Sequence, residues 1–269
     1  YVNGKIFYGI KTGYNEAFVI DRETRDRLVA DDPNSAKVIK PFLAGRDIKR
    51  YQTPTADKFL ILFPKGFTIK RNLPPDDPHY MVAESPPRYG DMPFDDAWEW
   101  LKSRYPAIAE HLRPFKAQAM KRTDKGELRA CDYYDEFEKP KVMLPDISSR
   151  CEALLDSDNG FYSVNTAYII PGLSKSDLGI LNSRLTLFFY ATLTQTIRGG
   201  YFRFIRQYLD QIPIVKTEIL NELVVKIIEM KNQNPSADTT DLENQIDALV
   251  YELYGLTEEE IRIVEGGEG

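Results

Sequence analysis

The chain has 269 residues, with 35 Lys and Arg against 41 Asp and Glu, a net charge of −6, two His and two Cys. At 42% hydrophobic and 28% charged it reads as an ordinary water-soluble globular chain, long enough for one large domain or two small ones. Cys131 and Cys151 cannot build a disulfide framework, which points to a reducing, cytoplasmic setting, and the most apolar stretch, residues 185–194, falls far short of the roughly 20 residues a membrane span needs.

The first residue is Tyr1 rather than Met, with no signal peptide ahead of it, so the expectation is a piece of a longer chain. Residues 1–22 alternate in polarity and carry Gly4, Gly9 and Gly13, which predicts two or three short strands. A short helix is expected over 24–30, before the Asp31-Asp32-Pro33-Asn34 turn, then strands at Lys37–Leu43 and Phe59–Phe63. Residues 71–93 hold six prolines and read as a surface loop. Trp98, Leu101, Tyr105, Ile108 and Leu112 recur at helical spacing over 94–121, with breaks expected at Pro106 and Pro114. Strands are expected again at Lys141–Pro145, Phe161–Ser163 and Ala167–Ile170, with Asp158-Asn159-Gly160 as a turn.

A second helical stretch spans 174–197, capped by Ser174 or Ser176 and stopping at Gly199-Gly200. Two amphipathic helices then follow, over 216–231 and 238–254, forming a helical hairpin. Thr257 and Glu260 form a capping box for a last short helix. The fold class is therefore α+β, with mixed sheets, helical insertions and a C-terminal helical hairpin. The natural division is 1–216 and an acidic tail over 217–269.

Charge follows that division. The tail holds 3 basic and 13 acidic side chains, so residues 1–216 alone carry +4. A polyanion can be met by one face while the acidic segment points away; the alternative is that these runs are solvated faces.

A catalytic site does not emerge. His79, His111, Cys131 and Cys151 lie at least 20 residues apart, unlike the paired ligands of a zinc site, and only those two His are present to activate a nucleophile. No Walker loop occurs. Pro145-Asp146 followed by Glu152 suggests a metal-dependent nuclease, but Leu154 stands where that pattern needs Lys. Asn72-Leu73-Pro74-Pro75-Asp76 lacks the spacing and the aromatic of an amino-methylating loop. The expectation is a chain with no catalytic residue and no metal of its own.

Three basic clusters suit DNA. In residues 9–18, Lys11, Thr12 and Asn15 offer two donors and an amide able to bond adenine bidentately; the other reading is an ordinary hairpin loop. In residues 44–51, Arg46, Lys49 and Arg50 gather beside Tyr51, suited to phosphates or to pairing with local acids. In residues 198–206, Arg198, Arg203 and Arg206 interleave with Tyr201, Phe202 and Phe204 after two glycines. Such a loop either approaches DNA and stacks its aromatics, or buries alternate aromatics and exposes the arginines.

Six segments, taken in order, carry a family resemblance: GIKTGYNEAFVID (9–21), IKPFLAGRDIKRY (39–51), CDYYDEFEKPKVMLPDIS (131–148), NTAYIIPG (165–172), LGILNSRLTLFFY (178–190) and RGGYFRFIRQYLDQIPI (198–214). The chain resembles the TaqI-like C-terminal specificity domain, the target-recognition region of adenine-specific DNA methyltransferases and type IIG restriction enzymes. Its C-terminal part is also similar to the specificity subunits of type I restriction systems.

The resemblance implies that the chain reads double-stranded DNA opposite an upstream methyltransferase domain. That domain would bind S-adenosylmethionine and flip out an adenine. No cofactor is expected in this chain. The DNA-contacting set expected from the three clusters is Lys11, Thr12, Asn15, Arg46, Lys49, Arg50, Arg198, Tyr201 and Arg203. The rival expectation is a protein-interaction module that docks another restriction-modification subunit through its C-terminal helices.

Overall fold

The computed structural model describes residues 5–64, 67, 94–121, 128 and 131–266. The Pro-rich stretch 71–93, with His79 and the Asn72–Asp76 segment, lies outside the described residues.

The N-terminal elements are β1 (Phe7–Tyr8), α1 (Asn15–Phe18), β2 (Val19–Asp21), α2 (Arg22–Asp31), β3 (Ile39–Phe42) and β4 (Lys58–Ile61). The middle of the chain forms α3 (Phe94–Arg104), α4 (Pro106–Leu112) and α5 (Lys116–Lys121), then β5 (Lys141–Pro145), β6 (Ile147–Ser148), β7 (Leu154–Asp156) and β8 (Ala167–Pro171). The C-terminal part forms α6 (Lys175–Asn182), α7 (Arg184–Leu193), β9 (Phe202–Arg203), α8 (Arg206–Leu209), α9 (Asn221–Gln233), α10 (Thr240–Tyr254) and α11 (Glu258–Val264). This is an α+β architecture with antiparallel sheets. Among the described residues, no helix is long and apolar enough to cross a membrane.

The chain interleaves two compact units. The first comprises residues 1–9, 43–55 and 135–269, and the second comprises 10–42 and 56–134. The first unit is built on an antiparallel sheet of order β1-β8-β5-β7. β5 is buried at every position because it has strands on both sides and side chains packed on both faces. Val142, Leu144 and Ile170 share a core with Leu178, Leu181, Val224, Ile227, Ile246 and Val250, so the C-terminal helices close that core. The apolar stripes of the two amphipathic helices are the reason they pack inward. At the other end of β5, the two-residue strands β6 and β9 pair as a short ribbon, with Ile147 opposite Arg203.

The helical stretch expected over 174–197 is two helices. Ser174 caps α6, and its partner Asp177 completes a capping box. Asn182 then ends α6, because its side-chain amide bonds both the N–H and the carbonyl of Ala153, at 2.9 Å each. Ser183 turns extended and its hydroxyl caps α7 by accepting from the N–H of Thr186. α7 stops at Leu193, six residues short of Gly199-Gly200, because the chain must become extended at Ile197 to bridge to Tyr201. Phe161–Ser163 is not one of the strands; β7 supplies the extra strand instead.

The second unit has a β2-β4-β3 sheet, with Leu60 opposite both Val19 and Lys40. Asp21 caps α2 by accepting from the N–H of Thr24 at 2.8 Å. Pro106 opens α4, and Pro114 falls in a 3-10 turn between α4 and α5, as the breaks at these prolines predict. Trp98, Leu101, Tyr105, Ile108 and Leu112 are all buried. Tyr105 joins a ring cluster with Phe63, Phe67 and Trp100.

Candidate nucleic-acid interface

The third basic cluster is a turn on a rigid base. Ile197 and Tyr201 bridge across it, the N–H of Ile197 donating to the Tyr201 carbonyl at 2.7 Å. Between them Gly199 (φ +88°) and Gly200 (φ +78°) both adopt the left-handed region, which side chains disfavour. β9 follows, and strand alternation decides what faces solvent. Phe202 and Phe204 are 9% and 1% exposed, whereas Tyr201 is 47% exposed and Arg203 is exposed. Two of the three aromatics are therefore core, and one is surface.

Tyr190 on α7 is the anchor of this base. Its ring stacks on Phe204 with centroids 4.5 Å apart. Its hydroxyl donates to the Arg203 carbonyl at 2.8 Å and accepts from the Ile205 N–H at 3.2 Å. Burial pushes its pKa up to about 12, so it stays a neutral donor. The side chains of Arg198 and Arg203 are exposed and make no ion pair among the described residues. Ile147 and Ile197 leave apolar surface beside them.

A further set surrounds Arg203. Tyr8 and Tyr168 pack with centroids 4.7 Å apart, and the Tyr8 hydroxyl lies 3.4 Å from Asp146 Oδ2. Burial, then the Asp146 charge, pushes the Tyr8 phenol up to about 12. Burial also raises the Asp146 pKa, while the Tyr8 hydrogen bond and the Arg203 charge draw it back. These residues were outside the sequence-predicted set. Their only signal was Asp146 following Pro145, a feature shared by many strand ends.

The second cluster divides. Gly45 donates its N–H to Thr166 Oγ1 at 2.9 Å, and a Cβ there would lie 2.1 Å from the Thr166 carbonyl oxygen. This close approach fixes the loop against the β5–β8 side of the first unit. Arg46 and Lys49 are exposed, with loose ion pairs to Asp47 (3.8 Å) and Glu152 (3.7 Å). Arg50 is placed differently: its side chain is only 13% exposed. Its guanidinium donates to the Asn182 carbonyl at 2.6 Å and pairs with Glu243 on α10 at 2.7 Å. It ties the loop to the helices, so its charge is already neutralised within the unit.

The first cluster belongs to the second unit. Lys11 and Asn15 are exposed, and Asn15 opens α1, so the alternative reading of an ordinary hairpin loop does not hold there. Thr12 is buried and donates its hydroxyl to the Asn15 side-chain oxygen, so its polar atom is spent on holding Asn15. Arg198, Tyr201 and Arg203 thus share one turn, and Arg46 and Lys49 share one loop of the same unit. Lys11 and Asn15 stand on the other unit.

Comparison with known proteins agrees with these motifs. The family model of the TaqI-like C-terminal specificity domain matches residues 40–214. The type II methyltransferase M.BstVI of Geobacillus stearothermophilus is 27% identical over 135 residues, covering 49% of this chain and 23% of that protein. The type II methyltransferase M.PaeR7I of Pseudomonas aeruginosa is 29% identical over 140 residues, covering 49% of this chain and 22% of that protein. Each match thus spans less than a quarter of the relative. The structure of the type IIL restriction-modification enzyme MmeI in complex with DNA superposes with a TM-score of 0.59 at 13% identity. It covers 97% of this chain and 34% of that one, a likeness of fold.

Proposed function

The chain belongs to the TaqI-like C-terminal specificity domain family, and from that premise we propose that it recognises a base sequence in double-stranded DNA. It would present that DNA to an adenine methyltransferase domain that binds S-adenosylmethionine. The type II methyltransferase relatives and the DNA complex of the similarly folded MmeI support this reading. Methyl transfer would belong to that other domain, and this chain alone would transfer none.

The observation that carries the proposal is the 197–203 turn. It holds two exposed arginines and an exposed tyrosine on a backbone fixed by Tyr190. Arginine forks fit guanine O6 and N7 in the major groove, and lysines suit phosphates. Arg198, Tyr201 and Arg203 are assigned to base edges or stacking, and Arg46, Lys49 and Lys11 to phosphates. Asn15 is assigned to an adenine edge, with Thr12 orienting it. Arg50 is assigned a bracing role. In this reading recognition lies within 1–216, and the acidic helices of 217–269 brace the core. The rival docking role has less apolar surface to use, because Leu220, Val224, Ile227, Ile246 and Val250 are buried in the chain's own core.

The test is binding of random-sequence duplex over a salt series. Log affinity should fall linearly with log salt, and Lys49→Ala should reduce that slope by about 1 if Lys49 neutralises one phosphate. Absence of binding at low salt would defeat the proposal.

A further inference from the structure

The exposed turn carries an acid at its root. Asp146 is where the chain leaves β5 and enters the ribbon. Its N–H donates to the Thr166 carbonyl at 3.0 Å, and its own carbonyl accepts the N–H of Phe204 at 2.8 Å. The Tyr8 hydroxyl, which donates to the Asn165 carbonyl and whose ring packs on Tyr168, lies 3.4 Å from the Asp146 carboxylate. The next residue, Ile147, lies opposite Arg203 in the ribbon, so carboxylate and guanidinium rise from neighbouring positions. The charge of Arg203 acts on Asp146, Tyr8 and Tyr168 alike, yet among the described residues no ion pair ties Arg203 down.

A carboxylate on a surface that meets a polyanion repels phosphate. The same carboxylate attracts the arginine head and narrows its rotamers before DNA arrives, which lowers the ordering cost of a fork-shaped contact. Both effects favour a base edge over the backbone as the partner of Arg203. The arginine's backbone is fixed as well, through the Tyr190 bond to its carbonyl.

We propose that Asp146, fixed by its backbone bonds to Thr166 and Phe204, is a positioning residue for Arg203, and that it trades phosphate affinity for guanine discrimination. This rests on the DNA-recognition reading. It makes an unusual prediction of sign: removing the carboxylate should strengthen binding to arbitrary DNA and weaken the preference for the right base.

The experiment enriches randomised duplexes on the wild-type chain. The selected duplex and a random duplex are then titrated against the wild type, Asp146→Asn, Asp146→Glu, Arg203→Ala and the Asp146→Asn, Arg203→Ala double variant. Asp146→Asn is expected to cut the selected-to-random affinity ratio about tenfold, the scale of one bidentate base contact, with random-duplex affinity unchanged or raised. Asp146→Glu, which keeps the charge, should recover part of the ratio. In the Arg203→Ala background the Asn substitution should leave the ratio unaltered. An unchanged ratio in Asp146→Asn overturns the positioning role while the wild type's selectivity stands. A parallel fall in both affinities overturns it too, since that marks a purely structural residue. If the wild type enriches no duplex, the DNA-recognition reading falls and this inference falls with it.

Discussion

Lys141 and Asp156 offer the sharpest test of the fold. They face each other in register on β5 and β7, 0% and 1% exposed, with Nζ 2.6 Å from Oδ2. The ammonium also donates to the Phe137 carbonyl at 2.5 Å, and the carboxylate accepts the N–H groups of Asn159 and Phe161 at 3.0 and 2.8 Å. Burial lowers the Lys141 pKa, and the Asp156 charge opposes that shift. Breaking such a pair by removing one partner costs about 3–5 kcal/mol. A stranded charge sets its own ceiling, because the folded variant can neutralise it. For Asp156→Asn, deprotonating Lys141 costs about 4.6 kcal/mol at pH 7, from a reference pKa near 10.4 and about 1.36 kcal/mol per unit. At pH 9 the same ceiling is about 1.9 kcal/mol.

Once Lys141 is neutral in folded Asp156→Asn, the unfolded state binds the extra proton, so the stability of this variant rises with pH relative to the wild type. Urea unfolding of Asp156→Asn and the wild type at about pH 7 and 9 reads this out, with Lys141→Met at about pH 7 as a second variant that breaks the pair. Losses below about 1 kcal/mol at about pH 7 in both variants, or a loss in Asp156→Asn that does not shrink between about pH 7 and 9, would refute the argument.

Three other outcomes follow from local geometry. His111 has its pKa lowered, chiefly by burial, with Nε2 3.3 Å from the Ala17 carbonyl. The unfolded state then binds more protons below about pH 6.5, so stability should fall as the solution is acidified from there. His111→Gln should flatten that slope in urea midpoints between about pH 5 and 7, and an unchanged slope would remove His111 as its source. Gly45→Ala should cost about 1–3 kcal/mol, measurable as a lower Tm, because the methyl meets the Thr166 carbonyl oxygen; an unaltered Tm would show the loop shifts freely. Arg50→Met should cost about 1–3 kcal/mol through the lost Asn182 and Glu243 contacts, without changing the salt slope of DNA binding. A reduced slope with unchanged stability would return Arg50 to the DNA face.

Periodicity and punctuation made much of the fold legible. The stripes in α9 and α10 are buried where their spacing predicts, Thr257 and Glu260 form the capping box, and Pro106 and Pro114 interrupt the 94–121 stretch. These are local effects, set by side chains a few residues apart. The six family segments likewise needed no structure. Long-range pairing decided the rest. Asn182 ends α6 because it meets Ala153, 29 residues away, and α7 stops early because the turn after it must be extended.

The basic residues divide for the same reason. Arg46, Lys49 and Arg50 look alike in sequence, but only Arg50 finds Glu243 on a distant helix and is neutralised there. Among the aromatics of the Gly-Gly loop, composition cannot distinguish Tyr201 from Phe202 and Phe204; ribbon pairing with β6 and the Tyr190 ring decide which are buried. Ile147, next to Asp146, comes to lie opposite Arg203 only when β6 and β9 pair, because the two segments lie far apart along the chain. The sequence alone thus determined the family, the helices and the supply of positive charge. Tertiary structure decided which of those charges remain available to a ligand, because a charge is spent wherever folding brings it a buried partner.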